Sequence, residues 1–399
     1  MVLPPERRLV PTSALIATRI AYAFNWYNVG AVLPLVGAEF HAGPAALGVV
    51  LGAFLVGVGV FQVPAGILTL RWGARRVSLL GVAILGSACV ASGFSASWPE
   101  LAGWRFVGGV GAAFFFSPAL SLVASYFPPG SRGPIIGLYN GGFSIGGAAG
   151  LFLGALVGGL AGWRWALVSG GVALLAVTAI DLFLLPDEAA TPVAAPRAKG
   201  PSVVRSILTS RSVWCLALGL TGFWSAIYIV AQYFVDFGQR VHGGWPPGLA
   251  AALAALVVLI SFPAGPFGGW LGERSRDPRS VLLTFGLLTA ALTAVVPFLP
   301  LGVLTVDLIG LGITDGVVFA VLYLLPTLLP ETKGEGLALG VAVVNSIQVG
   351  LGSLLAVVFG ALVQFSGYTT AWLYAGLLTL GLLPLLFLVR GTRSVETSR

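Results

Sequence analysis

Apolar runs of about 20 residues, the length a helix needs to cross a ~30 Å hydrocarbon core, recur twelve times along the chain, broken by short polar or basic turns. The runs predict spans at 12–36, 45–70, 77–96 and 99–127, a fifth ending at 159 and a sixth ending at 185. Six more are predicted at 213–235, 247–271, 281–299, 301–325, 336–362 and 370–389. Between the two sets, 186–212 breaks the pattern with Pro186, Pro192, Pro196 and Pro201 among small and basic residues, and reads as a linker. The expectation is an all-α integral membrane protein of twelve transmembrane helices, with a six-helix bundle at 1–185, a cytoplasmic linker at 186–212 and a second six-helix bundle at 213–399.

The two sets repeat each other. Gly66, Leu68 and Arg71, in a basic turn after the second span, recur as Gly269, Leu271 and Arg274; Gly133 and Gly137 recur as Gly336 and Gly340, each 203 residues on. A constant offset across separate motifs marks tandem halves, which in a membrane protein usually form one transport unit.

Composition agrees. With 57% hydrophobic and 9% charged residues and a mean hydropathy of +0.97, the chain has too little polar surface to cover a soluble globule. Its 56 glycines suit close helix packing in lipid. The formal charge of +7 raises nucleic acid as a partner, but the placement of the 21 Lys and Arg gives another answer. Seventeen fall in alternate loops and the termini, and only Arg164 and Arg240 on the other side, an asymmetry that predicts cytoplasmic termini and linker. Cys89 and Cys215 lie in apolar runs and read as packing residues.

The second-span turn, G-I-L-T-L-R-W-G-A-R-R at 66–76, and the fourth-span stretch L-A-G-W-R-F-V-G-G-V-G-A-A closely resemble two signatures of the major facilitator superfamily of secondary transporters. The first is matched at Gly66, Leu68, Arg71, Gly73 and Arg75 and echoed at Gly269, Leu271, Glu273 and Arg274; the second at Arg105, Gly109, Gly111, Ala112 and Ala113. The resemblance covers nearly the whole chain. It implies a gating role for Gly66, Arg71, Gly73, Arg75, Glu273 and Arg274. Two departures stand out: Leu70 replaces the signature's acid, and the fifth span, N-G-G-F-S-I-G-G, lacks the Gly-Pro motif of drug:proton antiporters.

A charged side chain at the bilayer centre costs about 2.5–3.5 kcal/mol on insertion scales, so it needs a partner, a cavity or a function. Arg19, Arg105, Asp307 and Asp315 raise that question. In the superfamily the spans holding them, with the seventh, line the central cavity. Arg19, Tyr22 and Trp26 share one face of the first span with Asn25 beside them, and Trp224, Tyr228 and Gln232 stripe the seventh. These residues and Arg105 form the expected substrate site, with Asp315 and then Asp307 as proton carriers. The bland alternative pairs Arg105 with Asp307, and Arg19 with Asp315 or with backbone carbonyls. Asp181 and Asp236, near span ends, read as interfacial, and Asn345 and Gln348 as polar glue between helices.

The expected function is a proton-coupled symporter of a small anionic organic or inorganic solute, monomeric in the cell membrane, with no cofactor and no metal. The alternative is a proton-driven multidrug or metabolite exporter, in which Asp307 or Asp315 holds a cation among Trp26, Trp224 and Tyr228. An intramembrane enzyme is disfavoured, since the only histidines, His41 and His242, fall in predicted outer loops. ATP drive is disfavoured because no phosphate-binding loop is present.

Overall fold

The computed structural model describes residues 4–128, 132–186, 201–241, 244–332 and 337–390. Within these it is helical throughout: α1 (Pro5–Glu39), α2 (Pro44–Trp72), α3 (Ala74–Ser92), α4 (Trp98–Ser125), α5 (Arg132–Ala161), α6 (Trp163–Leu184), α7 (Pro201–Thr209), α8 (Arg211–Val241), α9 (Pro247–Arg274), α10 (Pro278–Val295), α11 (Leu301–Leu328) and α12 (Leu337–Leu382). Ten helices are long and apolar enough to cross a membrane. Two facts reconcile ten with twelve. The tenth covers both the eleventh and twelfth predicted spans, because α12 continues through Gly367, its one non-helical residue. α1 is not among the ten, its core holding Arg19, Asn25 and Asn28.

Most of these helices are apolar on every side, as expected when lipid rather than water covers the outer face. Their turns are short. Gly73, Gly162 and Gly367 each end one helix and start the next with φ of 84°, 91° and 80°, a region that residues with a Cβ seldom adopt. The linker expectation needs one correction: α7 begins at Pro201, which suits a helix's first turn, and only Ser210 separates it from α8. Residues 187–200 lie outside the described set.

α1–α6 pack chiefly on one another, as do α8–α12, and the two groups meet where α2 packs on α12, α5 on α9 and α1 on α8. α8 lies innermost: 83% of its most apolar window is buried, against 39% for α6. One continuous apolar core runs through both groups and includes the unpaired Cys89 and Cys215.

The sequence repeat has a structural counterpart. A Cβ on Gly109 would lie 2.0 Å from the Phe54 carbonyl oxygen, and one on Gly312 would lie 2.7 Å from that of Val257. Both positions advance by 203 residues, so the same backbone approach is built twice. At the face that carries the N-terminus and the α2–α3 turn, called here the terminal face, Arg75 donates to the carbonyls of Leu182 (2.7 Å) and Leu185 (3.1 Å). Arg279 donates likewise to the Val389 carbonyl at 2.5 Å. Arg75 to Arg279 and Leu185 to Val389 are both steps of 204, one more than the sequence repeat.

The opposite face is clasped twice as well. Trp163, directly after Gly162, donates its indole N–H to Glu39 at 2.6 Å, and Arg164 meets the same carboxylate at 2.5 Å. Tyr368, directly after Gly367, donates its hydroxyl to Asp236, which also pairs with Arg240 at 2.8 Å. Asp236 is therefore buried within the protein rather than at a lipid interface.

Candidate functional site

α1 brings the polar residues together. Its side chains at 19, 22, 23, 26 and 27 share one face by the 3.6-residue repeat, and that face meets α4, α5 and α8. Arg19 is 4% exposed, and its guanidinium carbon lies over four rings: Phe143 at 4.6 Å, Phe116 at 4.7 Å, Tyr22 at 4.9 Å and Tyr139 at 5.3 Å. Among the described residues no carboxylate pairs with it, and its buried Nε and Nη1 have no hydrogen-bond partner. The hydroxyl of Tyr139, itself fully buried, is also unpartnered. Cation–π contact offsets part of the burial cost, but unfilled N–H donors in a dry site remain costly. The arrangement is a cation with two open donors walled by aromatic rings.

Arg105 is spent differently. Its Nη1 donates to the Asn25 carbonyl at 3.1 Å and its Nη2 to the Trp26 carbonyl at 3.4 Å, with the Phe54 ring 4.2 Å beneath. It joins α4 to α1, and the expected alternative of an Arg105–Asp307 ion pair is not found. Asp307 lies on α11 one turn before Gly310 and makes no ion pair with Arg19 or Arg105. Asp307 is buried, with one carboxylate oxygen unpartnered.

Asp315, halfway along α11, makes no ion pair with Arg19. Tyr27 is buried and packs its ring 5.7 Å from Phe143, one of the rings over Arg19. Sequence reasoning missed it, although its i+8 spacing from Arg19 was available. Phe116, Tyr139 and Phe143 carried no such signal, since α4 and α5 deliver them only in three dimensions.

The remaining expected residues divide. Tyr22 packs against Phe115 and Trp26, and Trp26 meets Phe54 edge-on at 4.8 Å. Asn25 donates its amide N–H to the Gly170 carbonyl of α6 at 2.8 Å, and its buried Oδ1 has no hydrogen-bond partner. Trp224 stacks on Tyr228 at 5.5 Å; Tyr228 reaches the Leu51 carbonyl at 3.4 Å and Gln232 the Trp26 carbonyl at 3.2 Å. The α8 stripe therefore faces the first group of helices. Asn345 donates to Gln62 at 2.9 Å across α12 and α2, whereas the fully buried Gln348 amide has no partner among the described residues. Asp181, expected at an interface, is buried and takes the Thr18 hydroxyl at 2.6 Å.

At the terminal face, Gly66, Arg71 and Glu273 are exposed, and Gly73 forms the turn described above. Arg75 caps α6, and Arg274 lies 4.6 Å over Trp270. Among the described residues Glu273 forms no ion pair. The side chain of Leu70 and residue Gly336 lie outside the described set.

Comparison with known proteins adds the family. The 4-hydroxybenzoate transporter of Pseudomonas aeruginosa is 29% identical over 180 residues, 45% of this chain, and the match spans only 40% of that relative's length. The nitrite extrusion protein of Bacillus subtilis is 24% identical over 372 residues, 90% of each chain. Among solved structures, a bacterial homologue of the human lysosomal transporter Spinster, inward-facing and unoccupied, superposes with a TM-score of 0.78 at 17% identity, covering 99% of this chain and all of that one. The fold is shared. A sequence profile of the Major Facilitator Superfamily matches residues 15–347, and the chain belongs to that superfamily of membrane transporters rather than to the enzymes.

Proposed function

We propose that the protein is a secondary active transporter of a small anion, organic or inorganic, in which two six-helix halves, 1–185 and 213–399, alternate access to a midspan site. The observation that carries this reading is Arg19: a buried guanidinium with no counter-ion and two open N–H donors. A planar fork of that kind holds an oxyanion at two points, and the Tyr139 hydroxyl offers a third donor. The two relatives named above are called a 4-hydroxybenzoate transporter and a nitrite extrusion protein, and both of those solutes are anions, which supports the same class here.

Asp315 is the proposed proton carrier. It lies at mid-helix on α11, where taking up a proton would remove the cost of a charge held inside the membrane. The terminal face, with its excess of arginines, is the proposed cytoplasmic side of the cell membrane. The test is uptake into proteoliposomes of 4-hydroxybenzoate, nitrate and nitrite against uncharged and cationic analogues, with and without a pH gradient. Anion-selective flux lost in Arg19→Gln supports the reading; flux of cations alone would favour the proton-driven exporter.

A further inference from the structure

A second polar site lies far from Arg19, where α9 meets α10 at the terminal face. A groove of about 330 Å³ opens there, lined by Trp270, Arg274, Ser275, Ser280, Thr284 and Phe285 among others. Its volume falls in the range that holds a small organic group. On α9, Phe267, Trp270 and Arg274 fall at i, i+3 and i+7, one face of the helix. The Phe267 and Trp270 rings stack at 5.8 Å and are each about half exposed, at 49% and 48%. In a spanning helix such surface faces lipid, and a Trp in the last turn marks the level of the headgroups.

The charge within the groove is positive. The guanidinium of Arg274 lies 4.6 Å over the Trp270 ring and has no ion pair or hydrogen bond among the described residues. Asp277 does not neutralise it, because that carboxylate is held by Arg279 at 2.6 Å. The hydroxyls of Ser275 and Ser280 close the floor by donating to the Asp277 carbonyl, while Thr284 is exposed at the rim. Glu273 is exposed and is not part of the lining. The first half has no such groove residue: the position 203 before Trp270 is Ile67.

We propose that this groove binds the headgroup of an anionic phospholipid, with Arg274 on the phosphate and the Phe267–Trp270 stack against the upper acyl chains. A free phosphate would use Arg274 but would have no need of the lipid-facing rings.

The test is lipid binding to the purified full chain by native mass spectrometry, titrating dioleoyl phosphatidylglycerol against dioleoyl phosphatidylcholine. Wild type should prefer the anionic lipid by about fivefold, equivalent to the ~1 kcal/mol that one arginine contributes near an anionic surface. Arg274→Gln should abolish the preference and Trp270→Ala should weaken it. Arg276→Gln, an exposed arginine outside the groove, should keep it. Equal binding of the two lipids, an unchanged preference in Arg274→Gln, or an equal loss in Arg276→Gln overturns the proposal. So does full competition by millimolar sn-glycerol 1-phosphate, which would make the groove a site for free anions.

Discussion

Gln232 donates its side-chain N–H to the Trp26 carbonyl oxygen at 3.2 Å, and that same oxygen accepts from Arg105 at 3.4 Å. One backbone carbonyl of α1 is thus shared by a partner within its own group of helices and a partner from the other. Hydrogen bonds between helices in lipid are worth ~0.6 kcal/mol on average and up to ~1.7. Gln232→Leu should therefore lower stability by about that amount. The Trp26 ring packs on Tyr22 and Phe143, two of the rings over Arg19, at 5.6 Å each, but Gln232 holds the Trp26 backbone carbonyl and not the ring, so anion affinity should stay within about twofold. Thermal melts and calorimetry on the same preparation check both halves of the statement.

Arg105 should behave as a structural residue. A lysine keeps the charge but cannot reach two carbonyls from one planar group. Arg105→Lys leaves a buried charge short of partners, a class of change that costs about 3–5 kcal/mol when a buried pair is broken and somewhat less when carbonyls are the partners. The expected result is a clear fall in melting temperature with solute affinity, once folded, within about threefold of wild type.

Asp315→Asn should abolish pH-gradient-driven uptake while sparing solute counterflow, which needs no net proton movement. Asp307→Asn should leave driven uptake within about threefold of wild type. Parallel measurements of driven uptake and counterflow in proteoliposomes separate the two carboxylates.

The clasp at the end of α1 gives a pH dependence. Glu39, whose side chain is 45% exposed, lies past the apolar core of its helix. The Trp163 indole N–H and then Arg164 hold its pKa below the ordinary glutamate value of 4.5, against a smaller opposing push from burial. A carboxylate with a depressed folded pKa adds stability above its unfolded pKa and loses it as pH falls through the folded value. The clasp should thus be intact at neutral pH and weaken below about pH 4.5. Melting temperature against pH for wild type and Glu39→Gln measures it: the two curves should converge at low pH, and parallel curves would contradict the assignment.

The spans were legible because a helix bathed in lipid is apolar on all sides and has a length set by the bilayer. The tandem repeat was legible because Gly66, Leu68 and Arg71, and again Gly133 and Gly137, recur at one constant offset of 203 residues. The break between the last two spans was legible as well, since Gln364, Ser366 and Gly367 fall in the gap between 362 and 370, and the structure turns there at one non-helical glycine. Polar residues were found readily, but their partners were not. Nothing in the spacing of Arg105 and Asp307 shows that backbone carbonyls take the arginine and that the two do not pair. Asn25 was placed beside Arg19 by proximity in sequence, yet the hydrogen-bond acceptor lay on α6. The rings around Arg19 come from α1, α4 and α5, so only the packed fold brings them together.

The central claim is that Arg19 binds the solute as an unpaired cation. Calorimetric titration of 4-hydroxybenzoate and nitrite into wild type and Arg19→Lys, with melting temperatures recorded alongside, tests it most directly. Losing the two-point grip should weaken binding of at least one of these anions by about tenfold or more, equivalent to ~1.4 kcal/mol, with the protein still folded. Unchanged affinity in a folded Arg19→Lys, or tight binding only of cations, would contradict the account.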